Sequence, residues 1–491
     1  MNNIAITTFI ICLNLVTLNL HASDLLINNI TVVNPVDNNN VDTLKHHWVL
    51  IKNGRIHSIS KTKIVNQSKV IEIDGTGKFL IPGLMDAHVH TGTMPGIRAD
   101  FTETKKLQEA FLKQQPRSYL FYGITQILDP SSTPANVAKF SQAPIKPDMF
   151  HCGAAPIIGG YNLLDANLEQ AIKQRKYFIY QPGIDADAPN NFDANRHSPE
   201  MVVKRMAEDG AICVKVYTED GFDKASHWPT ISNNLLKRVR VAANKYGLKM
   251  MAHANAVDMQ KMATNVDVDI LGHGMWNWLD LTSKEGLPDE VQSIADTIIN
   301  KSITYQPTLN VMRSLRDVTD STHLHHPDYK NVISASTLDW YHSENGQWFS
   351  RVLQQGWQQK TLPKIQQHMT TILNNGERVL QYLYKKGHPL VLATDTPPAP
   401  TYASQPGVSA NWELKHLYKL GVSLANILSA ATINNAKSLN INNDYGSITK
   451  NKIANLLILN ADPLKHISAY EKIHTVILHG VSHKRDSFKI K

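Results

Sequence analysis

Five side chains able to hold a metal ion, and one inward lysine, fall at recurring points of this chain. "IPGLMDAHVH" ends in His88 and His90, "AICVKVYTEDG" carries Lys215, "MMAHAN" His253, "DILGHGM" His273 and "PLVLATDT" Asp395. Residues i and i+2 of a strand face one side, so His88 and His90 share a face of an apolar run. A single inward imidazole can be an ordinary core residue. Two are costly to bury unless something binds them, and neutral imidazole is the commonest metal ligand. His-x-His is a weak motif alone. Taken one at a time, the others read equally well as capping histidines, a turn aspartate and a lysine whose stem is buried between Val214 and Val216. Their arrival together at the ends of five strand candidates favours a metal site.

Tyr217, two residues beyond Lys215 on the same strand face, is placed to touch substrate or an oxyanion, or to form an aromatic wall. "GHGMWNW" brings Trp276 and Trp278 near the same rim, and the stretch 310–388 brings Arg313 and Arg316. Together these would line an aromatic, cationic pocket suited to a substrate carboxylate. "HLHH" (323–326) reads as loop surface.

Such side chains need strands to hold them. Short apolar runs at 84–90, 124–128, 149–153, 212–217, 249–253, 269–273, 303–308 and 390–394 alternate with amphipathic stretches such as 104–123 and 234–247. That rhythm predicts βα units around a parallel sheet, and eight of them predict a (β/α)₈ TIM barrel, whose active sites lie at the C-terminal strand ends. Both chain ends alternate apolar with polar residues, at 25–33, 47–60 and 69–75 and again at 453–460 and 474–480. One small β-sandwich built from both termini, with the barrel inserted, accounts for this. The expected organisation is a signal peptide (1–23), sandwich strands (24–80), barrel (81–440) with about two extra helices in 310–388, and sandwich strands again (441–491).

The chain has 491 residues and a formal charge of +8, with lysines and arginines scattered among acids, so no nucleic-acid footprint is read. Residues 1–23 contain no charged side chain and end in "LHAS", which predicts export to the periplasm or medium, with cleavage after Ala22 or Ser23. The first residues lack the Lys or Arg usual in a signal peptide, and an uncleaved anchor is the alternative. No later segment is long and apolar enough for stable membrane insertion. Beyond Cys12, Cys152 and Cys213 are expected as two buried free thiols in adjacent strands, with a single bridge as the alternative.

These motifs, with "YGITQILDPS" (122–131) and "ILSAATINNAKSLNINNDYGSITKNKIANLLILNADPL" (427–464), resemble the amidohydrolase superfamily over almost everything after the leader. The resemblance implies two divalent ions, with zinc expected and one ion possible. It places His88, His90 and Asp395 on one ion and His253 and His273 on the other, with Lys215 carboxylated to bridge them. It also implies hydrolysis of a C–N amide bond in a small molecule or dipeptide, with Asp395 as the proton shuttle. Lysine-bearing dipeptidases and imidazolonepropionase-like cyclic-amide hydrolases are the similar members. Deaminases of the family place a glutamate three residues after the His253 position, where this chain has Ala256. A non-catalytic scaffold would have lost ligands that are all present. Homo-oligomerisation stays open.

Overall fold

The computed structural model describes residues 24–65, 70–98, 100–164, 166–183, 192–221, 227–356 and 361–490. The expected leader, 1–23, lies outside them. Strands β1 (Leu25–Pro35), β2 (Val41–Lys52), β3 (Arg55–Ser60), β4 (Ile71–Asp74) and β5 (Phe79–Pro82) come first. They are followed by β6 (Leu84–Asp86), β7 (Ile124–Asp129), β8 (Asp148–Ala154), β9 (Cys213–Tyr217), β10 (Lys249–His253), β11 (Ile270–Leu271) and β12 (Thr304–Tyr305). β13 (Leu456–Leu459), β14 (Ile473–Leu478) and β15 (Val481–Lys484) close the chain.

Strands from both ends join one mixed sheet in the order β15-β14-β13-β5-β1-β2-β3, with β4 also on β1. Alternation decides what each face meets. Val32, Leu80, Leu456 and Ile458 pack into one core, while their neighbours Val33, Ile81, Leu457 and Leu459 pack into the core shared with the helices of the central region. Both faces are therefore apolar where β1, β5 and β13 meet.

The central strands form a second, wholly parallel sheet in chain order, β6 through β12. It is curled, so that its two edges come within reach of one side chain. Gln306, just past β12, donates its Nε2 to the Ala87 carbonyl just past β6 at 2.8 Å. Helices such as Lys105–Phe121 and Asn233–Lys245 fall where the amphipathic stretches predict, and the Ser232 hydroxyl caps the latter by accepting from Leu235 N.

Segment 390–396 lies beside β6, with Ala87 N donating to Leu392 O at 3.0 Å and His90 N to Thr396 O at 2.8 Å. It makes no continuous ladder because two of its N–H groups are spent elsewhere. Leu392 N donates to Ala430 O and Thr394 N to the Asp86 carboxylate. The helix around Ala430 pins it further, as Asn434 Nδ2 donates to Leu390 O and Asn435 Nδ2 to both Met85 O and Leu392 O.

Two expectations change. The stretch 310–388 holds more than two extra helices: Asn310–Asp317, Ala335–His342, Trp348–Gly356 and Leu362–Lys385 are all α-helical. Cys152 and Cys213 are joined by a disulfide and are not free thiols. They are direct partners in the β8–β9 register, with Cα atoms 4.4 Å apart, a distance within disulfide reach. Among the described residues, no helix is long and apolar enough to cross a membrane.

Candidate metal centre

The site forms where the C-terminal ends of β6, β9, β10 and β11 meet segment 390–396. His88 and His90 lie just past β6, not within it, in backbone held from both sides: Val89 N donates to Leu128 O, and Asp395 N to His88 O at 2.7 Å. Asp395 adopts a left-handed backbone (φ 54°), a conformation that aspartate tolerates better than most residues, and this turns its carboxylate toward the histidines. Asp395 Oδ1 lies 2.9 Å from His90 Nε2 and 3.3 Å from His88 Nε2, and Oδ2 lies 3.7 Å from His273 Nδ1. Lys215 Nζ is 3.2 Å from His88 Nε2. His273 Nε2 faces His253 Nδ1 at 2.8 Å. All six residues that the motifs single out are thus linked in one contact chain.

Electrostatics favour donor atoms over protons. Burial pushes the imidazoles of His88 and His273 well below their ordinary range, and His253 down as well, so these rings are neutral with a free lone pair. Burial also lowers the Lys215 amine. For Asp395 burial works toward the neutral acid, but the surrounding His88, His90 and His273 outweigh it and hold the carboxyl well below the usual carboxylate range. Its Oδ1 is buried and takes no well-angled hydrogen bond. An ionised oxygen left short of donors among neutral imidazoles fits a divalent cation. His88, His273 and Asp395 each offer an atom within 4.8 Å of the others.

A further set of side chains, missed in the sequence reading, orients these groups. Gln306 Oε1 lies 2.9 Å from His88 Nδ1, and Thr308 Oγ1 lies 3.2 Å from His273 Nδ1. Asp129 takes Thr91 N and Oγ1 and stands 3.8 Å from His90 Nδ1. Glu219, fully buried, lies 3.2 Å from His253 Nε2 and accepts from Asn255 Nδ2 at 2.5 Å. Spacing carried a signal for Glu219, since 215, 217 and 219 share the outward period of β9. Asp86 receives Thr394 N, Thr394 Oγ1 and His88 N, and burial pushes its acid up to about 7.

A cavity of about 710 Å³ opens on this cluster, lined by His90, Lys215, Tyr217, His253, His273 and Asp395 and by the connection after β8. Tyr217 lines it. Trp276 is not among the lining residues; it is buried with its ring 5.6 Å from that of His273. Arg313 does not supply the expected cationic wall. Its guanidinium lies over Trp412 and pairs with Asp317 at 3.1 Å, also on the helix Asn310–Asp317.

The amidohydrolase family model matches residues 79–482, a span running from β5 to β15. The chain belongs to the amidohydrolase family. As an amidohydrolase it is an enzyme acting on C–N bonds of small molecules, in a family that is generally metal-dependent. Among solved structures it is similar to a Xaa-Pro dipeptidase with bound methionine, at 19% identity and TM-score 0.64, covering 94% of this chain and 100% of that one. A molinate hydrolase is similar at 17% identity and TM-score 0.64, with 95% of each chain covered. Ochratoxinase of A. niger is similar at 16% identity and TM-score 0.63, covering 94% and 96%. A comparison with curated protein sequences finds no match.

Proposed function

We propose that this amidohydrolase cleaves the amide bond of a small molecule or dipeptide at a two-ion centre, with zinc as the expected metal. One observation carries the reading: His88, His90, Lys215, His253, His273 and Asp395 converge at a cavity roomy enough for such a substrate. His88, His90 and Asp395 would hold one ion, and His253 and His273 the other. Lys215, its amine lowered by burial, would react with CO₂ to give an anionic carbamate able to serve as a ligand, with release of a proton. Bound divalent ions would lower the pKa of a water molecule and polarise the scissile carbonyl.

The remaining work belongs to side chains. Asp395 would take the proton of the attacking water on its carboxylate and return it to the departing nitrogen. Tyr217, its hydroxyl held by Asn162 Nδ2 at 2.8 Å, would steady the carbonyl oxygen. Trp276 would act on substrate only through the His273 ring it packs against. In this reading segment 390–396 closes the curled sheet as the eighth strand of a barrel, and the mixed sheet forms the sandwich into which that barrel is inserted. Export of the mature chain belongs to the same reading, supported by the uncharged apolar start and by the Cys152–Cys213 disulfide.

Glu219 does not revive deamination. It sits behind His253 and is not among the residues lining the cavity. The test is elemental analysis of purified protein combined with a screen of dipeptides, N-acyl amino acids and cyclic amides. About two ions per chain and release of an amine are expected. Metal-free protein that is fully folded and inert to every amide would point to a scaffold instead.

A further inference from the structure

One wall of the cavity is built from the connection after β8 and the short helix Leu168–Gln174, where the polar Asn162, Gln170, Gln174 and Arg175 stand among the apolar Leu163, Leu164 and Ala166. Arg175, at the end of that helix, brings a permanent positive charge to it. Its Nη2 donates to the Asn162 carbonyl at 3.1 Å and to Asn162 Oδ1 at 3.3 Å. Asn162 is itself fixed, with a left-handed backbone (φ 74°) and its Nδ2 donating to the Tyr217 hydroxyl. The guanidinium is therefore tethered through Asn162 to the strand that carries Lys215. A guanidinium has five N–H donors, and both tethering bonds use one nitrogen. Among the described residues, Nε and Nη1 of Arg175 have no protein acceptor and no carboxylate stands within ion-pair distance. Among the described residues the lining contains one carboxylate, Asp395, and that group is engaged by histidines. A planar cation lining a cavity, with donors to spare and no anion of its own among the described residues, matches a carboxylate.

We propose that Arg175 receives a free carboxylate of the substrate, so that the amides cleaved here are N-acyl amino acids or dipeptides with a charged C-terminus. The proposal rests on the amide-hydrolase reading and deepens it. The pairing is an exposed one at the cavity wall, so its contribution is moderate, about tenfold in affinity.

The experiment compares N-acetyl amino acids with the same compounds as C-terminal carboxamides, following acetate release by metal-loaded wild type, Arg175→Gln and Arg175→Lys. Wild type should favour the acids by about tenfold or more in kcat/KM, through KM. In Arg175→Gln the preference should collapse toward parity as the KM of the acids rises, and Arg175→Lys should retain part of it. An Arg175→Gln enzyme keeping the wild-type preference, or a wild type favouring carboxamides, overturns the proposal. If neither series is hydrolysed, it is the hydrolase reading that fails. Calorimetric binding of the same acid and carboxamide pairs then decides the role of Arg175: acid binding lost in Arg175→Gln upholds it, and equal binding of both compounds rejects it.

Discussion

Glu219→Gln places the strongest demand on the geometry around His253. The glutamate side chain is fully buried and acts as acceptor at both oxygens. Oε2 takes Asn255 Nδ2 at 2.5 Å and lies 3.2 Å from His253 Nε2, while Oε1 takes Gly221 N at 3.2 Å. His253 Nδ1 faces His273 Nε2, so a His253 that offers Nδ1 to an ion carries its proton on Nε2 and donates it to Glu219. Glutamine keeps the size but turns one acceptor into a donor. Whichever way its amide is rotated, an N–H then faces another N–H, of Gly221 on one side or of Asn255 and His253 on the other. A hydrogen bond to a charged group contributes about 1.5–3 kcal/mol. Loss of a partner behind a metal-binding histidine costs about 10–100-fold in metal affinity, which is about 1.4–2.7 kcal/mol. The two scales agree, so Glu219→Gln should bind the ion of the His253–His273 pair about 10–100-fold more weakly. Competition titration of zinc against a chromophoric chelator measures this, with circular dichroism confirming the fold of each metal-free protein. A folded variant with wild-type affinity for both ions would refute the orienting role, and a metal-free variant that does not fold would make Glu219 a structural residue instead.

Asp395→Asn should keep the fold and much of the metal while kcat for any accepted amide falls about 10²–10⁴-fold, the usual contribution of a general acid–base group; unchanged kcat in a metal-loaded variant would leave Asp395 as a ligand alone. Peptide mapping by mass spectrometry without reductant should find Cys152 and Cys213 in one linked peptide, and alkylation of both thiols in the unreduced protein would contradict the pairing. N-terminal sequencing from a fractionated native host should begin near Ser23 or Asp24 outside the cytoplasm, and an intact Met1 in the cytosol would reject export. The bond of His479 to Asp148, 2.8 Å long, raises the imidazole pKa above 6.5. Its stabilisation is therefore full below that value and lost as pH rises through the raised one. The Tm gap between wild type and His479→Gln should accordingly be widest in mild acid and narrow in alkali; a gap constant with pH would contradict the linkage.

The candidate site residues could be picked out in the sequence because strands impose a period of two and end abruptly. His88, His90, His253, His273 and Asp395 each follow or end a short apolar run and Lys215 interrupts one, and that local signal needs no knowledge of neighbours. The parallel sheet was legible for the same reason, since the alternation of apolar runs with amphipathic stretches is a property of the chain itself. Tertiary structure decided what stands behind and across from those residues. Gln306 reaches His88 only because the sheet curls until β12 meets β6, a contact across 218 positions of sequence. Cys152 and Cys213 pair because the β8–β9 register sets them face to face, and register follows from packing rather than from residue type. Arg313 looked like a cavity cation until the helices of 310–388 placed Asp317 and Trp412 around it. Arg175 carried no signal at all, because a guanidinium with no carboxylate partner among the described residues is visible only once the neighbouring elements are in place.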